Sequence, residues 1–297
     1  MVWLKRIGLF LLTNILIMAT VGVVWSILGT YFNITGHTAY LVVFSGVAGF
    51  GGAFFSLMIS KWMAKTMYGV KIIPANSPDP QLRNLVERVH SMAKAARLPK
   101  MPEVGIYESP DMNAFATGPS KANSLVAVST GLLHQMNERE VDGVLAHEVA
   151  HIANGDMVTM TLIQGVVNTF ALFFSRILAN IISSQVDERY RTVVYFGCSI
   201  AGDILFTLLG SMVVNYYSRA REFRADAGGA RYSTRENMIN ALRRLQVSPQ
   251  LAYANSDEKD QLATMKISDN RKKGGLAALL MTHPPLEERI RALERAR

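Results

Sequence analysis

Four long stretches with little or no charge set the limits on what this chain can fold into. Positions 7–32 and 39–60 hold no Asp, Glu, Lys or Arg, while 157–182 holds only Arg176 and 192–217 only Asp203. Each is longer than the ~20 residues that cross a bilayer core. A helix in a soluble core keeps a polar stripe, whereas one that is apolar all round at this length is a membrane span. The pattern predicts four transmembrane helices in two hairpins. The first stretch exceeds the roughly 7–15 residues of a signal h-region, and no small-x-small cleavage site follows it. It reads as a retained anchor.

Basic residues beside the spans predict the orientation. Lys5 and Arg6 precede the first span, and Lys61, Lys65 and Lys71 follow the second. Arg219, Arg221 and Arg224 follow the fourth, while the loop at 33–38 has no Lys or Arg. Arg189 and Arg191 in the 183–191 loop weaken the contrast there. Both termini and the stretches 61–156 and 218–297 are expected in the cytoplasm, in a multi-pass membrane protein. The net charge of +8 suits anionic lipid headgroups beside the spans. No basic stripe interleaved with aromatics stands out, so nucleic acid is not an expected partner. Cys198, the only cysteine, falls inside the fourth span, which excludes an internal disulfide and a thiolate ligand.

The polar stretches carry the chemistry. His147-Glu148-Val149-Ala150-His151 is an H-E-x-x-H motif. On a helix its imidazoles lie one above the other and can share a metal, which leaves Glu148 free to activate water. Asn137 with Glu140 reads as a capping box that opens this helix. Asn154-Gly155 reads as its stop, and Asp156 as the cap of the third span. Catalytic zinc keeps three protein ligands and an open position, so a third ligand must come from elsewhere. Ser218–Asp226 is the best source: Glu222 and Asp226, four apart, share a helix face. One can ligate while the other orients an imidazole; alternatively both pair with Arg219, Arg221 or Arg224 on a solvated helix. Upstream, 80–96 draws an amphipathic helix ended by Pro99 and Pro102, followed by strands near 103–107, 112–117 and 124–129 with a turn at 118–123. Helices are expected at 218–230, 234–246 and 285–296. Residues 247–281 lack periodicity and are expected to form a loop or lid.

Within the membrane, Asp203 and Arg176 are costly in lipid and expected to pair, with Asn168 an alternative partner for Asp203. Gly46, Gly49, Gly51 and Gly52 favour close helix packing.

H-E-x-x-H followed by E-x-x-x-D just after a span resembles the HtpX family of bacterial membrane zinc peptidases, relatives of the CaaX prenyl protease. Asn113-Ala114-Phe115-Ala116 resembles the edge-strand motif of that family, and Thr282-His283-Pro284-Pro285-Leu286 through Arg289 its His-Pro segment. The resemblance implies an α+β membrane protein in which four transmembrane helices carry a cytoplasmic, mostly helical zincin-like unit with a small sheet. Its divisions are a hairpin at 1–69, the motif-bearing part at 70–156, a second hairpin at 157–217 and the third-ligand part at 218–297. It implies one Zn2+ per subunit on His147, His151 and Glu222, with Glu148 and His283 catalytic. Asp226 and Arg289 then support the ligands, and Asn113, Ala114, Phe115 and Ala116 hold substrate backbone. The implied activity is cleavage of damaged, unfolded or membrane proteins in quality control and stress response, overlapping with other such proteases; the oligomeric state is left open. A metal-stapled scaffold and a processing peptidase with one specific substrate are the alternatives.

Overall fold

The computed structural model describes residues 38–247 and 282–296. The first expected span and nearly all of the expected lid, 248–281, lie outside the described residues. The elements are α1 (Thr38–Met67), β1 (Lys71–Ile72), α2 (Pro80–Ala95), β2 (Glu103–Tyr107), β3 (Ala114–Ser120), β4 (Asn123–Ser129), α3 (Thr130–Gln135), α4 (Glu138–Asn154), α5 (Asp156–Ser183), α6 (Glu188–Tyr232), α7 (Arg235–Val247) and α8 (Leu286–Arg295). They fall in two compact units, one within 1–55 and 161–214, the other within 56–160 and 215–297.

The second unit is built on a mixed sheet in the order β1-β2-β4-β3. β2 and β4 run parallel, while β1 and β3 pair antiparallel at the two edges. Alternation divides the strand side chains between two faces. Val104, Ala114, Val126 and Val128 join the main core with α2, α4, α7 and α8. Tyr107, Phe115, Leu125 and Ala127 form a smaller core with Ala64, Val70 and Tyr68. Leu85, Val86, Val89 and Met92 make the buried stripe of α2, which Asp79 opens by accepting from the Gln81 amide at 2.8 Å.

Local sequence sets both ends of α4. The Glu140 amide donates to Asn137 Oδ1 at 3.0 Å, and the Asn137 amide donates to Glu140 Oε2 at 2.9 Å. Gly155 ends the helix at φ +73°, a left-handed turn that costs glycine nothing. Gly143 lets α7 close in, since a Cβ there would lie 2.4 Å from the Asn237 carbonyl oxygen.

Two expectations need correction. The span at 192–217 and the helix at 218–230 are one unbroken helix, α6, because no Gly or Pro interrupts 211–227. The turn at 118–123 is far tighter, since β3 continues to Ser120 through an irregularity between Thr117 and Ser120.

In the first unit, parts of α1, α5 and α6 pack together. Three helices among the described residues are long and apolar enough to cross a membrane: Phe44–Met67, Asp156–Ser183 and Glu188–Tyr232. Gly49 and Gly165 allow close approach, to Thr169 and Phe50 respectively, whereas Gly51 and Gly52 meet nothing within 4 Å. Ser175 donates to the Ser199 carbonyl at 2.7 Å, and Arg176 Nη1 meets both oxygens of Asp203 at 3.1 and 3.0 Å. Asn168 accepts instead from Gln164.

Candidate metal centre

Helix α4 places His147 and His151 one turn apart, with their Nε2 atoms 3.1 Å from each other. Glu222, from α6, faces both rings: Oε2 is 3.5 Å from His147 Nε2, and Oε1 is 3.4 Å from His151 Nε2. Ligand atoms of these three residues all lie within 4.8 Å of one another. Glu222 is fully buried; His283, Arg289 and Arg221 lie within ion-pair distance of its oxygens, yet neither oxygen accepts a well-aligned hydrogen bond among the described residues. Such a group is expensive unless something else satisfies it. A divalent cation fits that requirement, and two imidazoles with one carboxylate form a ligand set that catalytic zinc sites use.

The remaining ring nitrogens are held by carboxylates. His147 Nδ1 lies 3.0 Å from Asp226 Oδ1, and His151 Nδ1 lies 2.7 Å from Asp156 Oδ2. Anchoring Nδ1–H leaves Nε2 of each ring with a lone pair for a metal. Arg289, fully buried on α8, grips Asp226 through Nε to Oδ2 at 2.8 Å and Nη2 to Oδ1 at 2.6 Å. The structure thus brings His147, Glu148, His151, Glu222, Asp226, His283 and Arg289 together. His283 Nδ1 lies 3.0 Å from Glu222 Oε2, although neither ring nitrogen makes a well-aligned hydrogen bond among the described residues.

Asp156 is the partner that sequence reasoning missed, having assigned it to cap α5. Gly155 precedes the helix, Asp156 is already its first residue, and the carboxylate turns back to His151. The available signal was an acid five residues past the second motif histidine, delivered by the left-handed Gly155. Lys121 was also missed; its Nζ donates to the Ala153 carbonyl at the end of α4.

Strand β3 lies at the sheet edge and contacts α4. The Ala116 backbone hydrogen-bonds the Glu148 carboxylate. Ala114 and Ala116 pack toward α4, while the Phe115 ring lies on the other face, 5.3 Å from Tyr68 and 5.7 Å from Tyr107 between centroids. Asn113 is buried, its Oδ1 has no hydrogen-bond partner among the described residues, and its backbone N–H donates to Ser129 Oγ at 3.1 Å.

Burial also sets the protonation chemistry. It pushes the Glu148 carboxyl up, against the opposing pull of His147 and His151. That makes Glu148 a stronger base than an exposed glutamate. For His151 burial acts downward, but the Asp156 and Glu222 carboxylates outweigh it and raise the ring to about 9. His147 is raised likewise, burial again opposing and Asp226 and Glu222 prevailing.

A model described as peptidase family M48 matches residues 78–297. The chain belongs to peptidase family M48. A protein named protease HtpX homolog, from Bacillus subtilis (strain 168), is 53% identical over 301 residues, covering 98% of this chain and 99% of the relative. Protease HtpX of Shewanella sp. (strain MR-4) is 49% identical over 299 residues, with 98% and 99% covered. Among solved structures, S. mikatae Ste24p is similar in fold, with a TM-score of 0.57 at 18% identity. That match covers 98% of this chain but 65% of the Ste24p chain. Family membership, the His–His–Glu group and the long apolar helices together make this M48 member a membrane metalloprotease.

Proposed function

We propose that the chain is a zinc-dependent endopeptidase of the bacterial cytoplasmic membrane that cleaves damaged or unfolded proteins, membrane proteins among them, at their cytoplasmic segments. The observation that carries this reading is the convergence of His147, His151 and Glu222, whose carboxylate oxygens accept no well-aligned hydrogen bond among the described residues, beside a buried Glu148. These three residues hold one zinc ion per subunit. When bound, zinc acidifies a water molecule and polarises the scissile carbonyl.

The protein supplies the rest. Glu148 takes a proton from the attacking water as its oxygen bonds to the carbonyl carbon, then passes that proton to the amide nitrogen as the C–N bond breaks. A carboxylic acid and an amine leave. His283 donates to the oxygen that gains negative charge. Asp226 and Asp156 hold the two ligand rings, and Arg289 fixes Asp226. The backbone of Asn113–Ala116 binds an extended peptide by strand addition, which demands little of its side chains. Four spans, at 7–32, 39–60, 157–182 and 192–217, anchor the enzyme with both termini and the site in the cytoplasm; Lys61, Lys65 and the arginines after 217 support that orientation. Quality control and stress response agree with the HtpX name of the relatives.

Detergent-purified protein should cleave an unfolded casein-like substrate, stop on chelation, and recover with added zinc. Glu148→Gln should remain inactive under all three conditions. Cleavage that survives full metal removal would refute the reading.

A further inference from the structure

One cation beside the metal ligands has no role in the mechanism above. Arg221 adjoins Glu222 on α6, with Nε 3.5 Å from Glu222 Oε1. The same oxygen faces His151 at 3.4 Å. Arg221 Nε is itself buried and has no hydrogen-bond partner among the described residues, although the side chain as a whole is 21% exposed. His151 is likewise partly open at 12%, whereas His147, Asp226 and Arg289 stand at 3%, 2% and 0%. Within the cluster, His151 and Arg221 are thus the side chains that solvent partly reaches. Arg289 Nη1 also lacks a hydrogen-bond partner among the described residues, but it faces Glu222 Oε2 from a side chain with no solvent exposure.

Electrostatics says what such a group is for. A guanidinium against the ligand carboxylate repels a bound dication and weakens its ligand, so it works against metal affinity. Its buried N–H is also left unmade, which is costly. Both penalties are offset when an oxygen bearing negative charge arrives next to it. His283 stands at the other oxygen of the same carboxylate. Hence His283 and Arg289 face one oxygen of Glu222, and Arg221 faces the other.

We propose that Arg221 is a catalytic residue, donating to the scissile carbonyl oxygen as that oxygen gains negative charge. The inference rests on the peptidase reading of the site. No bond is made or broken at Arg221; the bonds that change are those of the hydrolysis, with Glu148 moving the proton.

The test uses full-length, zinc-loaded protein in detergent with a fluorogenic peptide, for the parent, Arg221→Gln and Arg221→Lys. Zinc affinity is measured by chelator competition, and folding by thermal unfolding. In Arg221→Gln, kcat should fall about 100-fold with KM changed less than about threefold, and Arg221→Lys should recover part of the loss. Zinc affinity should stay level or tighten in Arg221→Gln. If Arg221→Gln does not fold, Arg221→Lys carries the test through reduced kcat at unaltered zinc affinity. Unchanged kcat in a folded variant overturns the proposal. So does zinc affinity that falls in step with activity, which would make Arg221 a support for Glu222. A parent that binds zinc but cleaves nothing would sink the peptidase reading instead, so the two failures are distinguishable.

Discussion

Arg289 grips Asp226 through two nitrogens, at 2.8 and 2.6 Å, with side chains 0% and 2% exposed. Arg176 meets both oxygens of Asp203 through a single nitrogen, and those side chains are 21% and 35% exposed. The first pair belongs to a network. Asp226 also reaches His147 Nδ1 at 3.0 Å, and Arg289 Nη1 lies 3.4 Å from Glu222. The second pair sits among apolar helices, with Ser175 Oγ as a further hydrogen-bond partner of Arg176. An ion pair that only neutralises its members is replaceable by apolar residues. One that also aims a ligand is not, because its geometry passes on to the next group.

Breaking the first pair should have the largest effect. Arg289→Leu strands Asp226 in the core, at about 3–5 kcal/mol of stability, and should abolish cleavage; thermal unfolding and the casein assay read both. Adding Asp226→Leu should restore much of the stability and none of the activity, since His147 then lacks its partner. Restored cleavage would show that the network does not matter.

The second pair should behave in the opposite way. Asp203→Leu alone leaves Arg176 uncompensated, at roughly 2.5–3.5 kcal/mol on insertion scales. Arg176→Leu with Asp203→Leu should return both the yield of membrane-inserted protein and the cleavage rate to near parental levels. Loss of activity in a well-inserted double variant would instead give the pair a functional role.

Smaller effects separate the two ring anchors. Asp226→Asn and Asp156→Asn should each weaken zinc binding about 10–100-fold, measured by chelator competition. A silent Asp156→Asn would reduce the His151 contact to packing.

The smallest effect is a proton count. Without metal, His151 is raised to about 9, so it carries a proton at pH 7.5 that zinc must displace. Proton release on zinc binding, read by calorimetry in buffers of different ionisation enthalpy, should be present at pH 7.5 and fade as pH rises through about 9. Release that does not change across that window would contradict the assignment.

What was legible in the sequence was mostly local. The caps of α4, the H-E-x-x-H face and the stripe of α2 follow from residues within a few positions of one another. Glu222 and Asp226 were legible as a pair on one face, but only the family resemblance separated their roles. Asp156 was misassigned because its carboxylate can serve a helix end or a nearby ring, and only the backbone turn at Gly155 decides. β1 is two residues long and exists through its pairing with β2, so no periodicity announces it. The end of β3 turned on Gly118, at φ +141°, where a Cβ would come 2.2 Å from the Asn123 carbonyl oxygen. That close approach is tertiary information.

The most direct test of the central claim is the zinc bound per chain in metal-depleted, back-titrated Glu148→Gln and Glu222→Ala. The account predicts one zinc at near-parental affinity and no cleavage for Glu148→Gln. For Glu222→Ala it predicts zinc binding weakened at least about tenfold. Undiminished zinc in Glu222→Ala, or zinc lost from Glu148→Gln, would contradict the division between ligand and base.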